Sequence, residues 1–167
     1  SGHIKLGAVS TAQYFCPWII AKAKTTLPNM KIDLIIGNRD EILRSLEDGR
    51  VDLAIMGRPP REPLVNSNIL GNNPHIIILA NNHPLSQNDR RTEKLTNEEI
   101  ANLLQVETFL VREQGSGTRI LLERFLDTIG RGKELLKKEF TSNETIKQGV
   151  MAGLGIALIS SSTALNE

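Results

Sequence analysis

The sequence predicts an α/β fold, and three observations lead to that class. Short apolar segments alternate along the chain with longer segments whose apolar residues recur at helical spacing. Gly, Pro, Ser, Thr and Asn concentrate where one kind of segment gives way to the next. Hydrophobic residues make up 40% of the 167 residues and charged residues 23%, which is enough apolar material for a packed core. Such alternation is typical of parallel sheets covered by helices.

The order of the segments sets the expected elements. The segments predicted as strands lie at residues 4–9, 31–36, 51–56, 75–80, 108–112, 139–141 and 155–160. The segments predicted as helices lie at residues 12–27, 39–47, 96–104, 119–129 and 144–152. Because strands and helices alternate over residues 4–56, two βα units feeding a parallel sheet are expected there.

Local start and stop signals support several of the predicted helices. Pro17 lies early in the first helix, where a missing backbone donor matters least, and Pro28 ends that helix. Thr96 is the expected cap of the third helix, with acidic residues in its first turn. Ser142 or Asn143 is expected to cap the last helix.

Three stretches are predicted to lie outside helices and strands. Residues 57–63 contain three prolines, which favours a crossing loop. Residues 85–94 are polar, and the charged run at 133–138 is interpreted as solvated. With a mass of 18.5 kDa, the chain fits one domain or two small lobes that share a cleft.

Charge and cysteine content exclude several classes of protein. Twenty Lys and Arg residues against nineteen Asp and Glu residues leave a net charge of +1, which disfavours direct binding of this chain to DNA. A single cysteine excludes an internal disulfide framework and a zinc cluster of paired thiolates, so a cytosolic location is expected. No stretch reaches the roughly 18 to 20 apolar residues of a membrane span, and the start lacks the pattern of a signal peptide.

Small polar residues at the strand-to-helix junctions predict an anion site. They are Ser10, Thr11, Asn38, Arg39, Ser142, Asn143 and the run Gly115, Ser116, Gly117, Thr118 and Arg119. Helix N-termini at the carboxyl ends of parallel strands present free backbone donors. In the glycine run, the backbone can also approach a ligand closely and Arg119 can add donors. The alternative is that each polar residue only caps its own helix.

The sequence gives little support for nucleotide binding, metal binding or catalysis. The glycine run lacks the spacing and the lysine of a phosphate-binding Walker loop, and the later Gly153-Leu154-Gly155 follows a helix instead of a strand. The three histidines have no metal-ligand spacing. Cys16 is expected to pack in the core, and Glu113 to act as a surface or lobe-bridging carboxylate in preference to a general acid. No cofactor, metal site or catalytic activity is therefore expected.

Several motifs together resemble the effector-binding domain of LysR-type transcriptional regulators, in the branch that controls RuBisCO and other carbon-fixation operons. They are LGAVSTA at 6–12, VDLAIMGRPP at 51–60, VREQGSGTR at 111–119, SNETIKQ at 142–148 and GLGIA at 153–157. The resemblance implies a type II periplasmic-binding-protein fold with two Rossmann-like α/β lobes, at residues 4–74 and 75–167, around a ligand cleft. Because the family domain continues past the equivalent of Glu167, the C-terminal part of the first lobe is expected to be missing.

The resemblance also implies how the domain works. The cleft is expected to bind a small anionic effector: a phosphorylated sugar, a phosphoglycolate-like acid or NADPH. Its expected lining is Ser10, Thr11, Asn38, Arg39 and Arg58 from one lobe and Gln114, Gly115, Ser116, Gly117, Thr118 and Arg119 from the other. DNA contact is expected only through an N-terminal winged helix-turn-helix that this chain does not contain. The alternatives are an enzyme or a solute-binding protein on a related α/β fold.

Two apolar helix faces predict self-association into a homodimer or tetramer. The first helix carries Trp18, Ile19, Ile20, Ala23 and Leu27, and the helix after Gly117 carries Ile120, Leu121, Leu122, Phe125 and Leu126. In the family, these two helices pair between subunits in antiparallel fashion. The alternative is that both faces are buried within one subunit.

Overall fold

The computed structural model describes residues 2–86, 94–130 and 135–165. The chain divides into two compact units, Ser1–Asn73 and Pro74–Glu167. Each unit has its own sheet and its own packed helices, and each is described by itself here. Among the described residues, none of the helices is long and apolar enough to cross a membrane.

The first unit is a three-stranded sheet with two α-helices. Its elements are β1 (Gly2–Val9), α1 (Cys16–Thr26), β2 (Met30–Gly37), α2 (Arg39–Glu47) and β3 (Leu53–Ile55). The strand order is β2-β1-β3 and both pairings are parallel, as predicted. Parallel pairing places the carboxyl ends of all three strands at one edge of the sheet, where the chain turns into its helices.

The second unit contains a larger set of elements. They are β4 (His75–Ile78), α3 (Asn97–Leu104), β5 (Thr108–Arg112), α4 (Gly117–Thr128), β6 (Leu136–Phe140), α5 (Asn143–Met151), β7 (Ala157–Ser160) and α6 (Ser161–Ala164). β4 pairs antiparallel with β7, and β5 pairs parallel with β6. A parallel bridge between Phe109 and Ile156 connects the two pairs. The sheet edge that carries the carboxyl ends of β5 and β6 is followed by α4 and α5.

The second unit has apolar cores built around β5. Phe109 and Val111 pack with Leu122 and Leu126 of α4 in one buried cluster. Leu110 lies in another cluster, with residues of α5 and β7. Because adjacent residues of a strand point to opposite faces of a sheet, β5 is covered on both sides, which explains the consecutive apolar residues at 109–111.

The first helix differs from the prediction. Residues 12–27 are predicted as one helix, but a 3-10 helix (Ser10–Tyr14) comes first and α1 begins only at Cys16. Pro17 lies in the first turn of α1, and its fixed backbone angle and missing donor suit that position. The proline that was expected early within a longer helix therefore marks where the α-helix starts.

The predicted bounds of the strand that follows the charged run were wrong. The sequence predicts a solvated run at residues 133–138 and a strand at 139–141. In the structure, β6 is Leu136–Phe140 and so begins within the charged run. Residues 133 and 134 lie outside the described residues. Within the described residues, β6 pairs only with β5 and leaves most of its side chains exposed. An edge strand of this kind accommodates the lysines that suggested solvent.

Smaller differences concern the ends of the chain and its loops. β1 begins at Gly2 and not near Ile4, because its first residues pair with the start of β2. A 3-10 helix (Pro84–Ser86) and the short α6 were not predicted. The rest of the predicted polar stretch, residues 87–93, lies outside the described residues.

Candidate functional site

One edge of the first unit collects the polar residues predicted there. Ser10 follows β1, Asn38 and Arg39 follow β2, and Arg58 lies three residues after β3. The Ser10 hydroxyl donates a hydrogen bond to the Gly37 carbonyl at 3.4 Å, which ties the ends of β1 and β2 together. Thr11, next to Ser10, is half-buried. The structure thus brings the residues predicted in this unit to a single sheet edge.

Asn38 and Arg39 make specific contacts at the start of α2. The Asn38 side-chain oxygen accepts a hydrogen bond from the Glu41 amide at 2.9 Å, so Asn38 is the helix cap. Arg39 Nη1 donates to the Arg58 carbonyl at 2.7 Å and holds the chain after β3 against α2. The Arg58 residue itself is exposed. Its side chain is therefore the more accessible cation at this edge.

The second unit presents the glycine run at the start of α4. Gly115 has a φ of 91°, a left-handed conformation that favours glycine. Ser116 is buried, and its hydroxyl accepts a hydrogen bond from the Arg119 amide at 3.4 Å as the cap of α4. Thr118 is also buried, whereas Gln114 is exposed. Gly117 is the first residue of the helix. This turn leads directly from the carboxyl end of β5 into α4.

Arg119 is anchored to the protein at two nitrogens. Its Nε donates to the Glu123 carboxylate at 2.8 Å, and its Nη1 donates to the Arg112 carbonyl at 2.7 Å. The side chain therefore lies back along α4 and β5. A ligand can bind only those N–H groups of Arg119 that take no part in these two hydrogen bonds.

A buried cluster that the sequence analysis missed lies beside the glycine run. Arg112 is only 4% exposed, and its Nε and Nη2 donate to the two Glu113 carboxylate oxygens at 2.7 and 3.1 Å. Its Nη1 donates to Asn143 Oδ1 at 2.8 Å. Glu113, expected to be a surface or lobe-bridging carboxylate, is thus the counter-ion of Arg112. The available signal was a charged residue at the end of an otherwise apolar strand.

The N-termini of α4 and α5 lie at this cluster. Asn143 is the first residue of α5, which Ser142 caps by accepting a hydrogen bond from the Thr145 amide at 3.3 Å. Arg112 contacts Asn143 through its side chain and Arg119 through its carbonyl. Because helix N-termini carry partial positive charge, this edge is suited to an anion.

Residues that could have supported other chemistry are placed elsewhere. Cys16 is buried at the start of α1, and burial raises the pKa of its thiol, so the thiol stays protonated. His83 contacts Glu107 at 3.0 Å. Among the described residues, no group of three or more His, Cys, Asp or Glu side chains is placed to hold a metal ion.

Comparison with known proteins identifies the family of the chain. A family model described as the LysR substrate binding domain matches residues 1–167. The chain belongs to the LysR substrate-binding domain family. This confirms the resemblance inferred from the motifs, and with it the type II periplasmic-binding-protein fold class.

Two curated members of the LysR family are similar over almost the whole chain. The chain is 46% identical over 167 residues to the HTH-type transcriptional regulator CbbR of Sinorhizobium medicae (strain WSM419), covering 100% of the chain and 51% of that protein. It is 38% identical over 164 residues to the RuBisCO operon transcriptional regulator of Acidithiobacillus ferrooxidans, covering 97% of the chain and 50% of that protein. The chain thus spans about half the length of these relatives.

A solved LysR-family structure carries a ligand. The regulatory domain of CcmR from Synechocystis PCC6803, in complex with 2-phosphoglycolate (2-PG), matches with a TM-score of 0.87 and 28% identity. The match covers 100% of this chain and 76% of that one.

Proposed function

We propose that this chain is the effector-sensing domain of a LysR-type transcriptional regulator and that it binds a small anionic metabolite to control carbon-fixation genes. The observation that carries this proposal is that, in each unit by itself, arginines and helix N-termini lie at the carboxyl ends of the parallel strands. A site built from such donors recognises negative charge. The chain acts by binding and not by catalysis.

Both sheet edges contribute to the proposed anion site. The first unit supplies Ser10, Thr11, Asn38, Arg39 and Arg58, and the second supplies Gln114, Gly115, Ser116, Gly117, Thr118 and Arg119. Backbone amides at the helix starts and the exposed Arg58 are the main donors. Side-chain oxygens of the capping residues already accept hydrogen bonds from their own helices, so they shape the site more than they bind the anion.

The relatives suggest which anion to test first. One of them is named as a regulator of the RuBisCO operon, and the CcmR regulatory domain is solved with 2-PG. We therefore place 2-PG first, ahead of phosphorylated sugars and NADPH. 2-PG carries a phosphate and a carboxylate, and both groups are anions of the kind that arginines and helix N-termini bind.

The proposal extends to the partners of the whole protein. Relatives of twice this length are named HTH-type transcriptional regulators, so DNA binding through an N-terminal winged helix-turn-helix is proposed for the full-length protein. A cytoplasmic location follows from action on DNA. Pairing into homodimers or tetramers would set the distance between the DNA-binding heads, so that effector binding could change operator contact.

Calorimetric titration of the chain tests the proposed function. Ribulose 1,5-bisphosphate, 2-PG, 2-oxoglutarate and NADPH are titrated separately, and each mixture is then analysed by ³¹P and ¹H NMR. We expect saturable binding of 2-PG and recovery of every compound unchanged. Chemical turnover of a compound would contradict the sensor assignment, and a lack of binding by all four would remove the proposed anion site.

Self-association is expected through the exposed face of α1. Trp18 is 77% exposed and Ile19 is exposed on the same helix, and Leu27, the residue just after α1, is exposed as well. A surface that offers a large aromatic residue to solvent is typical of a contact between subunits. On α4, Leu122 and Leu126 are buried within the unit, so these two residues of the predicted α4 face are not available for contact with another subunit. Sedimentation equilibrium at micromolar concentration should give twice 18.5 kDa.

A charge on α1 should abolish this association. Trp18→Glu should sediment as a monomer, because a carboxylate in an apolar contact loses its hydration. The exposed Lys24 is the matched control, and Lys24→Glu should still pair. A wild-type chain that remains at 18.5 kDa would contradict the prediction.

A further inference from the structure

Arg112 is a buried cation whose counter-ion is its neighbour in the chain. Its Nε and Nη2, here called the Arg112 fork, donate to the two oxygens of the Glu113 carboxylate at 2.7 and 3.1 Å. Two parallel hydrogen bonds of this type are also how proteins bind the carboxylate of a ligand. The Glu113 side chain is 22% exposed while that of Arg112 is 4% exposed, so solvent reaches the ion pair from the glutamate side.

Asn143 adds a donor that nothing in the described part of the chain uses. Its Oδ1 must face Arg112 Nη1, because the opposite orientation would bring two donors together. The amide nitrogen Nδ2 is therefore turned away from Arg112, and it is buried without a hydrogen-bond partner among the described residues. Asn143 is only 3% exposed. A buried donor left unpaired is unfavourable, and a ligand oxygen would satisfy it.

These groups lie beside the helix starts of the proposed anion site. Asn143 is the first residue of α5, and the Arg112 carbonyl holds Arg119 in the first turn of α4. The partial positive charge of both N-termini adds to the charge of Arg112. In this structure the Glu113 carboxylate occupies this position.

We propose that a carboxylate of the anionic effector displaces Glu113 from the Arg112 fork, and that a second anionic group of the same effector accepts a hydrogen bond from Asn143 Nδ2. This inference rests on the proposed function and adds binding residues to it. Glu113 acts as an internal competitor, since it keeps the buried Arg112 paired while the site is empty and must leave before the effector binds. The displaced glutamate moves to the solvent, which it already contacts.

The Arg112 fork binds a carboxylate in this structure. Glu113 shows that a planar carboxylate with two oxygens fits the Nε and Nη2 donors of Arg112. For 2-PG, the carboxylate would then bind the fork, and the phosphate would bind Asn143 Nδ2 and the backbone donors of the helix starts. Ethyl phosphate, which has a phosphate ester but no carboxylate, separates the two contributions.

Affinity measurements on three variants test the displacement. Glu113→Gln removes the competitor, so it should bind 2-PG roughly fivefold more tightly than the wild type and bind ethyl phosphate unchanged. Asn143→Asp keeps an oxygen facing Arg112 but replaces the donor by a second negative oxygen, so it should bind 2-PG roughly fivefold more weakly while remaining folded. Glu139→Gln removes an exposed charge from the neighbouring strand β6 and should match the wild type.

A second readout does not depend on which effector the protein uses. Formate, the smallest carboxylate, should raise the melting temperature of Glu113→Gln more than that of the wild type or Glu139→Gln, compared with chloride at equal ionic strength. Formate stabilisation without 2-PG binding by the wild type would support the carboxylate site and contradict 2-PG as the effector. The inference is overturned if Glu113→Gln gains neither 2-PG affinity nor formate stabilisation.

Discussion

Gly155→Ala should lower the free energy of unfolding by about 3 kcal/mol, because the added methyl group has no room. A Cβ at this position would collide with the Thr108 carbonyl oxygen, and it would also crowd Leu110 at 3.1 Å. The same carbonyl accepts a hydrogen bond from the Ile156 amide at 2.9 Å. Moving the chain to relieve the clash would therefore stretch the pairing that connects β5 to the segment before β7.

Urea denaturation followed by far-UV circular dichroism measures this effect. The transition midpoint of Gly155→Ala should fall well below that of the wild type. Gly57→Ala is the matched control, since a Cβ at Gly57 meets nothing within 4 Å and the residue lies in an exposed loop. Equal midpoints for Gly155→Ala and Gly57→Ala would contradict the prediction, because they would show that the close approach of the backbone at Gly155 does not limit the stability of the fold.

Elements with local signals could be predicted from the sequence. α2 occupies the predicted residues, Arg39–Glu47, because its apolar spacing and its Asn38 cap both lie within a short stretch. β5 also has its predicted bounds, because the apolar run at residues 109–111 between polar residues indicates a strand covered on both faces. The glycine run was also placed correctly, between β5 and α4, because a clear strand pattern precedes it and a clear helix pattern follows it.

The contacts inside the candidate site could not be predicted in this way. Arg112 and Asn143 are 31 residues apart, and their hydrogen bond depends on how β5 and α5 pack. The direction of Arg119 depends on the Glu123 carboxylate and the Arg112 carbonyl, which compete with any ligand for its donors. Residue types therefore indicated a cationic edge, while tertiary packing decides which cations are available.

Loss of donors from both sheet edges should reduce effector affinity roughly a hundredfold. Arg58→Ala removes the exposed guanidinium after β3, and Thr118→Ala removes a buried hydroxyl in the first turn of α4. Each loss is expected to weaken 2-PG binding roughly tenfold, since a hydrogen bond to a charged group contributes about 1.5–3 kcal/mol. The two effects should add in the double variant, because the residues belong to different units.

Titration calorimetry with 2-PG measures these affinities, and two controls separate binding from folding. Arg58→Ala keeps the carbonyl that accepts the Arg39 hydrogen bond, so it should melt like the wild type. Arg50 is an exposed arginine before β3, at the opposite edge of the same sheet, and Arg50→Ala should leave affinity unchanged. Thr118→Ser keeps a hydroxyl and should recover most of the affinity lost in Thr118→Ala. Wild-type affinity in a folded double variant would place the anion site away from these two edges.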